Sequence, residues 1–350
     1  MVKYTELITE LDKNRIEFRT DEMLAPYSTF KIGGPADILA KAKSREELIK
    51  LIELAVKTNT PYTILGWASN VLIKDKGIRG LVIKNVANAI DILEPGKVHV
   101  QIDNSTKIEP RLDEIDTEKF YSFEDLSYDE SSAPKVRVRI ESGASLPSSI
   151  MNLIRNGITG LQWFGGIPGT FGGAVYNNIH GGSHFLSEYI DTVEALDPTT
   201  LNTRHYTGDE CNFGYDYSRF HDSKEVILSA VFNLFRGDAQ KAKQVYIEWT
   251  KRKRVQPQKS AGCVWQNITE EQRKQLGLES TSWGYIIDQV LQLKGKRIGG
   301  AIISPKHAAF IENIGQAKAA DVVALMDLIR KEAKAKLGIE PKPEIFLIGE

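Results

Sequence analysis

FGGIPGTFGGAVYNN, residues 164–178, is the stretch whose reading decides the fold. Gly165, Gly166, Gly169, Gly172 and Gly173 crowd into it around Pro168, with strand-like and helix-like segments on either side. Such a loop presents backbone and little else. Glycine accepts positive φ, and without Cβ atoms the peptide N–H groups come close enough to a ligand to cradle its phosphates. A tight crossover that packs two elements together uses the same residues, so this loop alone does not separate a ligand site from a packing turn.

Working outward, two further loops share its character: residues 32–35 (IGGP) and residues 66–70 (GWASN). The second leaves the strand-like YTIL, residues 62–65, directly, where α/β proteins place ligand contacts. Neither the dinucleotide fingerprint nor the G-x-x-x-x-G-K-[ST] phosphate loop is present in any of the three. Together they point to a phosphate-bearing ligand held by a different architecture. Around them the chain reads as mixed α/β. Residues 1–19 have the pattern of a short amphipathic helix. Ser44 with Glu47 three residues on opens a helix carrying Leu48, Leu51, Ile52 and Ala55 at helical spacing. VLIK (71–74) and LVIK (81–84) read as strands, and VRVRIESG (136–143) alternates as a half-buried strand does. Ser145 and Pro147 start a helix that Gly157 ends.

Further along, residues 193–197, 211–220 and 226–235 read as more sheet, and residues 238–253 as a helix ending in the cations Lys251, Arg252, Lys253 and Arg254. A last helix over 319–337 stops at Gly338 before a final strand, EIFLIG, at 344–349. Between 103 and 134 ten acidic residues face three basic ones, the composition of a solvated insertion. Over 350 residues, 41% hydrophobic and 26% charged with a net charge of −1, nothing argues for nucleic acid or a membrane surface. Two cysteines, Cys211 and Cys263, make neither a disulfide framework nor a zinc motif. His180 and His184 have i, i+4 spacing, but Gly181 and Gly182 between them speak against a helical metal pair, so no metal is expected. The N-terminus is polar and no apolar run approaches a membrane span, so a cytoplasmic protein is expected.

In order along the chain, TFKIGGPAD, ILGWASNVLI, GIPGTFGGA, FGYDYSRF, SAGCVWQN, GKRIGGAIIS with KHAAFI, and PEIFLIG resemble the motifs of the UDP-N-acetylenolpyruvoylglucosamine reductase (UDP-N-acetylmuramate dehydrogenase) family. The resemblance spans about residue 20 to residue 349, apart from the acidic insertion. It implies a vanillyl-alcohol-oxidase-type FAD-binding domain of two subdomains, residues 1–85 and 86–236, followed by a substrate-binding domain over 237–350. It implies an NADPH-dependent reduction of the enolpyruvyl ether on UDP-N-acetylglucosamine, giving UDP-N-acetylmuramate for peptidoglycan and hence for cell wall, cell shape and division. FAD and NADPH are the cofactors implied, and a monomer is expected.

In that reaction a hydride reaches one carbon of the enolpyruvyl double bond, a general acid protonates the other, and positioned donors stabilise the charge that builds on the carboxylate. The family's acid is the serine of S-A-G-S, and here the matching residue is Cys263. A thiol, with a reference pKa of ~8.5, is a stronger acid than an aliphatic hydroxyl, so the substitution keeps the function and adds oxidant sensitivity. Glu344 matches the C-terminal active-site glutamate. Where the family has an arginine after the tyrosine of F-G-Y-R, this chain has Asp216, a charge reversal, and Arg219 three residues on is the replacement candidate. By the same resemblance Asn267, Lys251 and Arg252 meet substrate. The flavin lies against Gly33, Gly34, Gly66, Ser69, Asn70, Gly166, Ile167, Gly169, Thr170 and Gly173. Trp67 and Ala68 stand where the family commonly has glycines. Two alternatives remain open: an FAD-fold oxidase with a different small substrate, and a catalytically impaired homologue that binds a nucleotide sugar.

Overall fold

The computed structural model describes residues 4–93, 100–101, 128–254 and 256–350, so most of the acidic insertion lies outside the described residues. The elements used below are, in chain order, α1 (Thr5–Lys13), β1 (Phe18–Met23), β2 (Pro35–Ala42), α2 (Arg45–Lys57), β3 (Tyr62–Leu65), β4 (Val71–Ile73), β5 (Ile78–Asn85), β6 (Ile90–Leu93), β7 (Val100–Gln101) and β8 (Lys135–Glu141). They continue with α3 (Leu146–Arg155), α4 (Phe171–Tyr176), β9 (His180–Gly181), β10 (His184–Phe185), β11 (Ile190–Leu196), β12 (Thr203–Thr207), α5 (Phe220–Ser223), β13 (Val226–Phe235) and α6 (Ala239–Arg254). Last come α7 (Glu270–Gln275), α8 (Trp283–Tyr285), β14 (Arg297–Ile298), β15 (Ala301–Ile303), β16 (Ile311–Asn313), α9 (Ala319–Leu337) and β17 (Phe346–Ile348). The chain divides into two compact units, each built from three stretches of sequence. The first is Met1–Glu17, Ala40–Thr60 and Ile83–Arg254; the second is Phe18–Leu39, Pro61–Val82 and Val255–Glu350.

The first unit is built on a six-stranded sheet of order β12-β11-β13-β8-β6-β7, antiparallel throughout. Its register follows from the alternation in β8. Val136, Val138 and Ile140 turn into a core shared with Phe232 and Leu234 of β13, Val193 of β11, and Ile150, Leu153 and Phe171 from α3 and α4. Arg137 and Arg139 turn outward and pair with Asp191 and Asp91. Each buried apolar side chain contributes roughly 1.5–3 kcal/mol, so a one-residue slip, which would expose all three at once, is strongly disfavoured. Two helix starts match their sequence signals. Ser44 Oγ accepts from Glu47 N at 3.2 Å, while the Glu47 carboxylate accepts from Lys43 N at 2.8 Å, one residue earlier than the usual box. Ser145 Oγ caps α3 through Ser148 N at 3.4 Å, and Gly157 takes the left-handed turn after it with φ of 69°.

The second unit holds β1, β3 and the stretches of β2 and β5 up to Leu39 and Val82 from the sheet β1-β2-β5-β3, together with the parallel pair β4 and β17 and the three-stranded sheet β14-β15-β16. Helix α9 lays Val322, Leu325, Met326 and Ile329 into a core with Phe30, Ile32, Trp265, Trp283, Ala301 and Ile303. Its first turn is held from another part of the chain: the Asp75 carboxylate accepts from Ala319 N at 2.8 Å and Ala320 N at 3.0 Å. A carboxylate there satisfies orphan N–H groups and meets the positive end of the helix dipole. Gly338, φ 70°, ends the helix.

Two sequence expectations need correction. The amphipathic pattern over 1–19 is helical only through Lys13; the polar run from Phe18 pairs as β1 instead. Residues 211–220 are not a strand. They form turns between a short helical turn at Asp209–Cys211 and α5, with Asn212 and Asp216 at φ of 48° and 50°, a backbone no strand can hold.

Candidate active site

In the second unit the residues singled out from the sequence meet along one run of hydrogen bonds. Cys263 forms an isolated bridge with Phe310, and the next residue, Val264, donates its N–H to Ala309 O at 2.9 Å. On its other side Val264 O accepts from Glu344 N at 2.8 Å, and Trp265 bridges Pro343. The thiol turn is therefore the middle of three extended segments, and Glu344 lies on the neighbour. Glu344 O accepts from the Asn70 side-chain amide at 3.3 Å, and Phe346 N donates to Asn70 O at 3.0 Å. Because β4 and β17 run parallel, with Phe346 opposite Val71, the loop that enters β4 and the glutamate that precedes β17 stand at the same end of the pair. Cys263 is half-buried, and an added Cβ at Gly262, φ 83°, would meet nothing within 4 Å. The SAGC turn is thus open on that side. Asn267, the other predicted substrate contact here, is exposed beyond the bridged segment.

The loops predicted to hold flavin divide between jobs. Gly34 is required by packing, since a Cβ would stand 2.1 Å from Asp75 O, and its N–H donates to Lys74 O at 3.1 Å. Gly33, φ 151°, is also constrained, since a Cβ there would stand 3.1 Å from Ile73 Cβ. Ala68 adopts φ of 50°, the left-handed conformation glycine takes without cost, so the loop keeps a glycine-like path with an alanine in it. Gly66, Ser69 and Asn70 complete that loop.

In the first unit, residues 164–173 pack on the turn that follows β8. Leu146 N donates to Gly169 O at 3.0 Å, Phe171 N to Ala144 O at 3.0 Å and Gly172 N to Ser142 O at 2.7 Å. Gly166, φ 76°, lies where a Cβ would come within 2.8 Å of Thr250 Cα and 3.1 Å of Lys253 Cβ. At Gly173, by contrast, an added Cβ would meet only Thr170 Oγ1, 3.8 Å away, and that hydroxyl makes no capping bond to α4. An open backbone beside a hydroxyl suits the phosphate oxygens of a flavin dinucleotide, so the residues present fit the group.

The remaining predicted residues have other partners. Lys251 and Arg252 both lie near Glu248, each at 3.6 Å, and Arg252 stacks over Trp249 with its carbon 5.0 Å from the ring centre. Arg219 stacks on Tyr206 at 3.9 Å, donates to Glu210 O at 3.1 Å and stands 3.9 Å from Glu225, which in turn accepts from Tyr206 OH. That arginine is tied into a folding cluster. Asp216 is 4.0 Å from His180 Nδ1; burial, with the charge of Lys253, pushes the His180 pKa down, so the pair is not ionic at neutral pH. His184 stacks on Trp163 and meets Glu188 at 2.9 Å. The other cysteine, Cys211, is buried, and burial raises its pKa to about 12, which leaves Cys263 as the reactive thiol.

Sequence reasoning missed what Thr29 and Asn178 do. Thr29 Oγ1 donates to Ser260 O at 2.7 Å, with Ala68 O at 3.5 Å from the same oxygen. Asn178 donates to Gly214 O at 2.9 Å and accepts from Ser187 N at 2.9 Å, tying the turn of the FGYD motif to the end of α4. Both residues stand inside quoted motifs, but a polar residue's partner is not legible in its neighbours.

Known proteins resemble this chain over nearly its whole length. A family model described as "UDP-N-acetylenolpyruvoylglucosamine reductase, C-terminal domain" matches residues 255–348, the stretch that carries Cys263 and Glu344. A UDP-N-acetylenolpyruvoylglucosamine reductase from Caldanaerobacter subterraneus is 32% identical over 94% of this chain and 93% of its own length. One from Caldicellulosiruptor bescii is 34% identical over 97% of this chain and 93% of its own length. The crystal structure of the Thermus caldophilus UDP-N-acetylenolpyruvylglucosamine reductase superposes with a TM-score of 0.66 at 26% identity, covering 96% of this chain and 99% of that one. With 32% and 34% identity over nearly the whole of two such relatives, the chain belongs to the UDP-N-acetylenolpyruvoylglucosamine reductase family.

Proposed function

We propose that this protein is an FAD- and NADPH-dependent oxidoreductase that reduces UDP-N-acetylglucosamine enolpyruvate to UDP-N-acetylmuramate, in the synthesis of the peptidoglycan precursor. The observation that carries the site assignment is the hydrogen-bonded run Cys263–Val264–Glu344–Asn70, which gathers an acid, a carboxylate and a cofactor loop in one unit.

FAD, when bound, supplies hydride transfer from NADPH to the substrate double bond. In our reading the backbone of Gly166, Ile167, Gly169, Thr170 and Gly173, open at Gly173, holds flavin phosphate oxygens; by the family resemblance Gly33, Gly66, Ser69 and Asn70 are flavin contacts as well, with Gly34 shaping their loop through packing. The Cys263 thiol donates its proton to the substrate carbon that does not receive hydride. Glu344, one hydrogen-bonded segment away, orients the thiol or polarises the substrate carboxylate. Lys251 and Arg252 at the end of α6 place positive charge for the UDP diphosphate, two cations sharing Glu248. Arg219 is assigned to folding rather than to the substrate anion. We further propose the functional division at 1–85, 86–236 and 237–350, a monomer, and a cytoplasmic location. No helix among the described residues is long and apolar enough to cross a membrane.

The test is anaerobic. Purified protein is bleached with NADPH and mixed with UDP-N-acetylglucosamine enolpyruvate while flavin absorbance is followed. Rapid reoxidation is expected. A flavin that bleaches and stays reduced would overturn the reading in favour of an FAD-fold enzyme with a different substrate, and protein without flavin would overturn it in favour of a non-catalytic homologue, the reading that Asp216 in place of the family arginine suggests.

A further inference from the structure

Four segments of the second unit close into a ring through their hydrogen bonds. From Thr29 the Oγ1 hydroxyl donates to Ser260 O at 2.7 Å; the chain then runs from Ser260 through Cys263 to Val264. Val264 O accepts from Glu344 N at 2.8 Å, and Glu344 O accepts from Asn70 Nδ2 at 3.3 Å. From Asn70 the chain runs back to Ala68, whose carbonyl oxygen lies 3.5 Å from the Thr29 hydroxyl where the ring began. Thr29 is itself braced: Asn313 Nδ2 donates to Phe30 O at 3.1 Å and Lys31 O at 3.2 Å, while Asn313 N donates to Lys259 O at 2.9 Å. Ser260 Oγ, turned the other way, donates to Pro257 O at 2.8 Å and fixes the entry to the same turn.

The physical reason to single out Thr29 lies in what the SAGC turn lacks. Gly262 takes φ of 83° with open space beside it, so no packing holds the residue directly before Cys263, whereas Ala261 is buried in the core and Ser260 is buried and hydrogen-bonded. The place of Gly262 therefore follows from the residues on either side of it. Beyond Cys263 the bridges to Phe310 and Pro343 supply a ladder; before it the Thr29 bond to Ser260 O is a side chain's work. We infer that Thr29 is a positioning residue: its hydroxyl sets the place of the Cys263 thiol relative to the loop at 66–70, and so the geometry of proton delivery. The inference rests on the reductase reading for its kinetic meaning, but the thiol's placement can be read without it.

The experiment uses the holoprotein and the variants Thr29→Val, which keeps the shape and removes the hydroxyl, and Thr29→Ser, which keeps the hydroxyl. In the first measurement Cys263 is labelled with a chromogenic disulfide, the signal being assigned by its loss in Cys263→Ala; Cys211, buried, serves as the slow reference. Labelling in Thr29→Val is expected to change by about 10-fold, the weight of one lost hydrogen bond, and in Thr29→Ser by less than about 2-fold. In the second, stopped-flow reoxidation by substrate slows about 10- to 100-fold in Thr29→Val and recovers in Thr29→Ser, while bleaching by NADPH stays within about 2-fold in both. Labelling unchanged in Thr29→Val overturns the inference, as does a valine variant that loses flavin, both half-reactions and thermal stability together, since that is a folding role. Wild-type protein that does not reoxidise sinks the reductase reading while the labelling result still decides the placement.

Discussion

Cys263 stands half-buried with a glycine of positive φ before it and an extended ladder after it. Such a thiol has the mobility a proton donor needs on one side and a fixed reference on the other. Replacing it by alanine is expected to slow substrate-driven flavin reoxidation by about 10²- to 10⁴-fold, the range for a general acid, with NADPH-driven bleaching unchanged. Cys263→Ser is expected to keep measurable turnover and to withstand peroxide doses that inactivate the parent protein, because sulfenic acid cannot form. Arg219 is the opposite case. It was an attractive anion partner by its position in the chain, yet its guanidinium lies on Tyr206 and beside Glu225. Arg219→Ala is therefore expected to lower stability by about 1 kcal/mol, seen as a shifted urea midpoint, with reoxidation within about 3-fold of the parent. A loss of reoxidation without loss of stability would restore it to the site.

At the scale of elements, the two helices with readable starts behave as their caps direct, and the exceptions are informative. α9 has no hydroxyl or carboxylate at its own N-cap, Lys318, and its first turn is capped from the β4–β5 turn by Asp75. Nothing local in the sequence could reveal that, since the two residues are more than two hundred positions apart. Asp75→Ala is expected to lower stability by about 1–2 kcal/mol, measured by urea denaturation, with Asp75→Asn recovering part of it through a neutral acceptor. The segment at 211–220 shows the reverse difficulty. Its aromatic residues have the composition of a strand, but Asn178 and the Ser218 hydroxyl, which donates to Tyr176 O at 2.6 Å, hold it as turns against α4. Aromatic content reports burial; it does not choose between a ladder and a set of anchored turns.

At the scale of the whole molecule, the charged outer face of the six-stranded sheet sets an acid limit. A cleft of about 660 Å³ there is lined by Lys43, Arg45, Arg139, Glu141, Glu194 and His205 among others. In it Arg45 makes a two-pronged bond to Glu194, and Ser229 adds a third at 3.0 Å. Burial disfavours the Glu194 carboxylate, but Arg45 and Ser229 more than offset that and hold its pKa below the usual 4.5. A carboxyl lowered in the folded state stabilises the protein fully above its unfolded value and loses that contribution as pH falls through the folded one. The urea midpoint is therefore expected to fall between about pH 5 and pH 3, and to fall less in Glu194→Gln, which has no proton to take up there. An equal slope in both would place the acid sensitivity elsewhere. The sequence by itself determined the family, the glycine loops, the alternating strand of β8 and the capped starts of α2 and α3, and it put Cys263 and Glu344 forward as candidates. All of these depend on residue types at short, regular separations, which period and capping chemistry convert into local structure. Only the tertiary structure decided that Glu344 and Asn70 share one end of a parallel pair with the thiol turn beside them, that Arg219 lies on Tyr206 and beside Glu225, that Gly34 serves packing, and that Thr29 joins two loops. Those facts depend on which distant segments become neighbours, and long-range pairing is set by the burial of whole faces rather than by any residue's own neighbours in the chain.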